Sequence, residues 1–227
     1  MNEVYAIVFT VAYLCVALWF YRMGKTWLQA YLATSYILTL ILAPKFFDFF
    51  GLTASMGSVA YAGIFFATDM LTERYGKATG YQTVRVGFAL TLLFVAMTQI
   101  NILFEPVAFS ASLSDAQNIV FGSSLRLMVA GFCVYLFAQH FDVWLYHKLH
   151  EKTGAKHLWL RNCGSTLISQ FLDSVLFFTL AFYGTMSNDI LLNVMLTGFL
   201  IKSLIAFLDT PFMYLARRMT PLDLKKN

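Results

Sequence analysis

The sequence predicts an all-α protein that crosses a membrane several times, and three observations set that fold class. Of 227 residues, 59% are hydrophobic and 17% aromatic, while only 12% are charged; soluble domains carry about 25% charged residues. The mean hydropathy is +0.67. Apolar runs able to span a hydrocarbon core of about 30 Å recur along the whole length. The plan is a single integral membrane domain over 1–227, in which 1–25 form an extra N-terminal helix and 26–219 a six-helix core.

Taken in order, seven stretches are long enough, or nearly so, to cross: 3–21, 27–43, 56–71, 84–104, 124–147, 162–184 and 190–216. The first carries no Lys or Arg, and Arg22 and Lys25 follow it, so it is expected to stay as a helix with its N-terminus outside. Between 44 and 57, PKFFDFFGLTASMG interrupts the pattern; Pro44, Gly51 and Gly57 break any continuous helix, and the aromatic cluster suits a re-entrant or interfacial segment. Residues 105–123 read as a long loop.

The loops alternate in charge. Arg22 and Lys25 follow the first span, Arg74, Lys77 and Arg85 the third, Lys148, Lys152, Lys156 and Arg161 the fifth, and Arg217, Arg218, Lys225 and Lys226 the seventh. Those thirteen of the sixteen basic residues lie on alternate loops, which the positive-inside rule makes cytoplasmic. The prediction is seven spans, N-terminus out and C-terminus in. The net charge of +4 is thereby accounted for without a nucleic-acid partner.

The sixth span holds an acid where lipid would punish one. With Asp173 as the zero of a wheel at about 100° per residue, Asn162, Thr166, Ser169 and Gln170 fall within roughly 60° of it. An intramembrane carboxylate faces protein or a water-filled cavity, so this stripe is expected to line a polar site. Gln139 and Asp142 repeat the Gln-x-x-Asp spacing of Gln170 and Asp173 on the span before. Lys202, in the seventh span, counts to the depth of Asp173 on an antiparallel neighbour and is expected to pair with it. Tyr135, Phe177 and Tyr183 are candidate stacking surfaces. Arg126 opens the fifth span and serves either as an interfacial anchor or as the outer end of the site. Asp69, Asp142 and Asp209 near cytoplasmic helix ends have an alternative reading, pairing with Arg74, Lys77 or Lys148. Gly63 and Ala67 suit close helix packing.

Other chemistries lack their residues. Cys15, Cys133 and Cys163 are scattered and form no C-x-x-C pair. His140 alone among the histidines lies inside a span, so neither haem nor a metal is expected. No G-x-x-x-x-G-K-[ST], H-E-x-x-H or G-x-S-x-G occurs, which argues against an enzyme. Seven spans with a Lys in the last also describe a retinal protein, but Gly198 stands where an Asp normally precedes that Lys.

ATDMLTERYGK at 67–77, the helix carrying Arg126 and Gln139-x-x-Asp142, and RNCGSTLISQFLDSVLFF at 161–178 together resemble the queuosine precursor transporter family, a vitamin-uptake group of bacterial and archaeal inner-membrane proteins. The likeness covers about 45–216, and its motif residues fall on Asp69, Glu73, Arg126, Gln139, Asp142, Arg161, Ser165, Thr166, Gln170 and Asp173. Two features depart from the pattern: Ala62-Gly63 stands where many members carry a Pro, and the first helix is extra to a six-helix plan. The resemblance implies uptake of 7-deazaguanines across the bacterial inner membrane, with no cofactor; self-association is compatible with it. An alternative is a substrate-capture subunit similar to the S-components of energy-coupling-factor transporters. On the base-binding reading, Asp173 accepts from the base and Gln170 orients it, with Gln139, Asp142, Ser169, Thr166, Lys202, Asp69, Arg126, Tyr135 and Phe177 around them.

Overall fold

A computed structural model describes residues 1–42, 45–122, 125–154, 156–185 and 187–224; the side chains of 46, 52–54, 59, 62 and 125–128 lie outside what it describes. Among the described residues are seven helices of 18 residues or more: α1 (Asn2–Met23), α2 (Lys25–Leu42), α3 (Met56–Tyr75), α4 (Lys77–Ile102), α6 (Leu125–Thr153), α7 (Leu158–Phe182) and α8 (Asn188–Arg218). They match the seven apolar stretches in order. Four of them, α1, α4, α7 and α8, are long and apolar enough to cross a membrane. The other three are shorter or more polar, and α3 and α6 owe this to the Thr, Gln and Asp residues that they turn inward.

Two segments differ from expectation. Residues 44–57 hold an antiparallel hairpin, β1 (Phe46–Phe49) with β2 (Leu52–Ser55), Phe49 facing Leu52 in register. Phe50 and Gly51 form its tight turn at positive φ. Aromatic residues favour extended backbone as well as interfaces, so the same phenylalanines fit either reading; Pro44 lies outside the described residues. The 105–123 loop contains α5 (Ala111–Phe121) after a single 3-10 turn at Ala108–Ser110. Eleven residues of mixed polarity are too short to read as a helix without tertiary contacts.

The helices start and stop on local chemistry. Gly24 (φ 123°) separates α1 from α2 and Gly76 (φ 86°) separates α3 from α4, each at an angle that a side chain resists. Ser55 caps α3 by accepting from the Gly57 amide at 3.2 Å. The connections after α1 and α3 meet the tail after α8 at one end of the bundle. There Asp223 accepts the Lys25 amide at 2.8 Å and the Tyr75 hydroxyl at 2.8 Å, and Arg22 reaches the Thr220 carbonyl at 3.4 Å. Three of the four basic loops thus share a face.

α3 is the hub, packing against α1, α2, α4, α6 and α8. Gly63 permits this: a Cβ there would stand 2.6 Å from the Tyr13 ring and 2.7 Å from the Tyr31 hydroxyl. Leu14, Leu28, Phe65, Phe66, Leu71 and Tyr146 form the core around it, while Leu93, Met97, Phe137, Phe171, Leu196 and Phe207 point outward, as lipid-facing residues would.

Candidate functional site: the polar face of α7

One face of α7 carries Arg161, Asn162, Thr166, Ser169, Gln170 and Asp173, all buried. All but Gln170 bond to side chains of three other helices, α3, α6 and α8. At the N-terminal end Arg161 forms a two-pronged ion pair with Glu73 of α3, Nε to Oε2 at 2.9 Å and Nη2 to Oε1. Its remaining donors go to the Gly154 and Lys156 carbonyls at 3.1 and 2.9 Å. Tyr146 of α6 donates to the same Glu73 at 3.0 Å. This arrangement locks the α6–α7 connection to the end of α3.

The next residue, Asn162, donates to Asp209 of α8 at 2.8 Å, and one turn on Thr166 donates to Asp69 of α3 at 3.1 Å. Ser169 then donates to Asp142 of α6 at 3.0 Å. Asp69 and Asp142 thus approach one turn of α7 from two helices, their hydroxyl partners three residues apart. Gln139, one turn along α6 from Asp142, accepts from Thr68 of α3 at 3.0 Å. The interfacial pairing offered for these acids is therefore wrong. Asp69, Asp142 and Asp209 are 0–2% exposed and bond to α7, whereas Lys77 and Lys148 lie over the rings of Tyr81 and Trp144, and Arg74 is exposed. Wheel geometry alone does not distinguish a stripe ending at the interface from one ending inside, because burial there is decided by the neighbouring helices.

Towards the C-terminal end of α7, the expected ion pair forms: Lys202 Nζ of α8 stands 2.5 Å from Asp173 Oδ2. Tyr61 of α3 donates to the other oxygen at 2.5 Å and lies with its ring 4.8 Å from the ammonium. A buried pair must be well bonded to offset desolvation, and Tyr61 supplies part of that. Sequence reasoning missed Tyr61 and Thr68. Their signal was available: Tyr61, Thr68, Asp69 and Thr72 recur at helical spacing on one face of α3.

Several buried atoms on this face have no bond within the protein. Gln170 leaves both side-chain atoms unpartnered, and Gln139 Nε2, Asp69 Oδ1, Asp142 Oδ2, Asn162 Oδ1 and Ser174 Oγ join it. Buried amide and carboxyl groups are seldom left so, and their concentration along one seam is what a polar ligand or water would satisfy. The other candidates lie apart from these atoms. Tyr135 is fully buried, its ring 4.1 Å from that of Tyr36 and its hydroxyl donating to the Val84 carbonyl at 3.3 Å. Phe177 packs in a cluster with Phe178 and Phe182, and Tyr183 is largely exposed. The side chain of Arg126 and that of Ala62, beside Gly63, lie outside the described residues, as do Lys225 and Lys226. His140 bonds the Leu136 carbonyl at 2.8 Å and stacks on Tyr81. Among the described residues no group of His, Cys, Asp and Glu side chains is arranged to hold a metal ion.

A helical membrane protein whose acids, amides and one lysine converge on the inner face of a single helix has the build of a small-molecule transporter. The chain belongs to the family described as "Putative vitamin uptake transporter", which it matches over residues 55–216. It is similar to a "Probable queuosine precursor transporter" of Bacillus subtilis, 33% identical over 98% of this chain and 97% of that one. A protein of the same description from Haemophilus influenzae is 27% identical over 59% of this chain and 54% of its own. No solved structure matches. All the acids of the seam lie within the matched region, and so does Lys202; α1 and α2 lie before it.

Proposed function

We propose that this chain is a multi-pass inner-membrane uptake transporter for queuosine precursors, 7-cyano-7-deazaguanine and 7-aminomethyl-7-deazaguanine, with queuine as a further candidate, and that it acts alone and without chemistry on its cargo. The observation that carries the reading is the row of buried, unbonded atoms on Gln170, Gln139, Asp142 and Asp69. A deazaguanine presents adjacent N–H donors on one edge and a carbonyl on the next; a carboxylate takes the first two together and a glutamine serves either. Gln170 and Gln139 orient the base. Asp173 receives its N–H edge once Lys202 and Tyr61 let go, so the ion pair is the resting partner that substrate displaces. Thr166, Ser169, Asp142 and Asp69 continue the same seam, Arg126 is either an interfacial anchor or the outer end of the site, and Tyr135 and Phe177 are candidate stacking surfaces.

The membrane arrangement that goes with this reading has seven spans, N-terminus outside and C-terminus inside, with α1 added to a six-helix core. Support comes from the shared face of three basic loops. The test is thermal stabilisation of the purified protein by a panel of 7-deazaguanines, guanine and vitamins. A ligand at a hundred times its Kd adds about 2.7 kcal/mol. A shift with deazaguanines and not with guanine is expected; a shift with a vitamin alone, or with none of the panel, overturns the cargo. Uptake by this chain in a host without an energy-coupling ATPase module separates solo transport from a capture subunit.

A further inference from the structure

We propose that Asp69 and Asp142 hold one proton between them and that this proton moves with the substrate, making the chain a proton-coupled carrier. The second half rests on the transport reading above; the first does not.

The argument begins with charge. Among the described residues, each cation of the seam is matched to an acid outside the pair: Arg161 to Glu73, and Lys202 to Asp173. No ion pair reaches Asp69, Asp142 or Asp209. The groups that face the pair are Thr166, Ser165 and Ser169 from α7, Tyr146 from α6, Asp209 from α8 and Glu73 along α3. None brings a positive charge except Arg161, already held by Glu73.

The geometry adds the second step. Asp69 and Asp142 each give one oxygen to a hydroxyl of α7, at 3.1 and 3.0 Å, and each keeps one oxygen with no donor. Two carboxyl groups that meet one turn of α7, buried and without a counter-ion among the described residues, do not both ionise. One proton held by the pair removes the second uncompensated charge.

A third, separate observation links the pair to the cargo. Gln139 Nε2 is buried and unbonded one turn from Asp142, while its oxygen takes the hydroxyl of Thr68, the residue before Asp69. A base that engages Gln139 therefore pulls on the neighbours of both carboxyls. The proton is loaded where the seam opens outward and released where it opens inward, with no covalent step.

Infrared spectroscopy of the purified protein tests the shared proton without any base. A protonated-carboxyl band is expected that titrates away as pH rises and is lost in Asp69→Asn and in Asp142→Asn; using both variants guards against one that fails to fold. A band that neither substitution changes overturns the pair. Proteoliposomes with a trapped pH dye and the membrane potential clamped at zero test the coupling. Exchange of labelled 7-cyano-7-deazaguanine at equal pH comes first; its absence overturns the cargo reading and the co-transport half with it, leaving the pair to the infrared result. With exchange present, a gradient of about one pH unit, acid outside, is expected to accumulate the base about tenfold and acidify the lumen, as one proton per base requires. Exchange without accumulation or proton movement overturns the co-transport role.

Discussion

Towards the C-terminal end of α7, Asp173 faces Lys202 at 2.5 Å, acid against base, with Tyr61 completing the carboxylate. Towards the N-terminal end, Asp209, Asp69 and Asp142 face an amide and two hydroxyls, with no cation bonded to them. Both regions are buried, and both join α7 to α3 and α8, with α6 added only in the second. The difference is in the partners: a cation bonded to the acid in one region and, among the described residues, only neutral donors in the other. A fixed partner makes each member depend on the other, whereas a protonated acid is already close in shape and charge to asparagine.

That contrast can be broken by substitution. The largest effect is expected from Lys202→Met, which strands Asp173: removing one partner of a buried pair costs about 3–5 kcal/mol, read as a large fall in thermal midpoint. The double variant Lys202→Met, Asp173→Leu is expected to recover most of that stability while uptake stays lost. If the single and double variants melt alike, the pair is not a structural unit. In the other region Asp142→Asn is expected to cost less, about 1–2 kcal/mol, the worth of a rearranged hydrogen bond; a loss as large as that of Lys202→Met would place a full charge on Asp142. Ser169→Ala removes one donor to that acid and is expected to lower stability by about 1 kcal/mol. The smallest effect belongs outside both regions: Phe50→Ser at the exposed hairpin turn should stay within about 0.5 kcal/mol of the parent chain.

Much of this was legible in advance, and unevenly so. The long helices were readable because lipid imposes length and apolarity directly on sequence, although only four of them are long and apolar enough to cross a membrane. The α7 stripe was readable because a polar residue in such a run stands out, and the Asp173–Lys202 pair followed from counting depth on antiparallel helices. The paired Gln-x-x-Asp motifs did mark two helices that face the same seam, although Asp142 bonds Ser169 and not the second motif. What could not be read were the partners. Tyr61 and Thr68 are ordinary residues on a helix whose orientation is set by tertiary packing against five others. The interfacial alternative for the three inner acids stayed open for the same reason. The hairpin and α5 escaped because short elements draw their stability from tertiary contacts.

Asp223 carries a consequence for how the chain is made. It receives the Lys25 amide across 198 residues of sequence and the Tyr75 hydroxyl across 148. Synthesis runs from the N-terminus, so the turns after α1 and α3 wait almost until the end for the residue that fastens them. Contacts so distant in sequence are slow to form. That end of the bundle is thus sealed last, and the order of assembly is written into the position of a single aspartate.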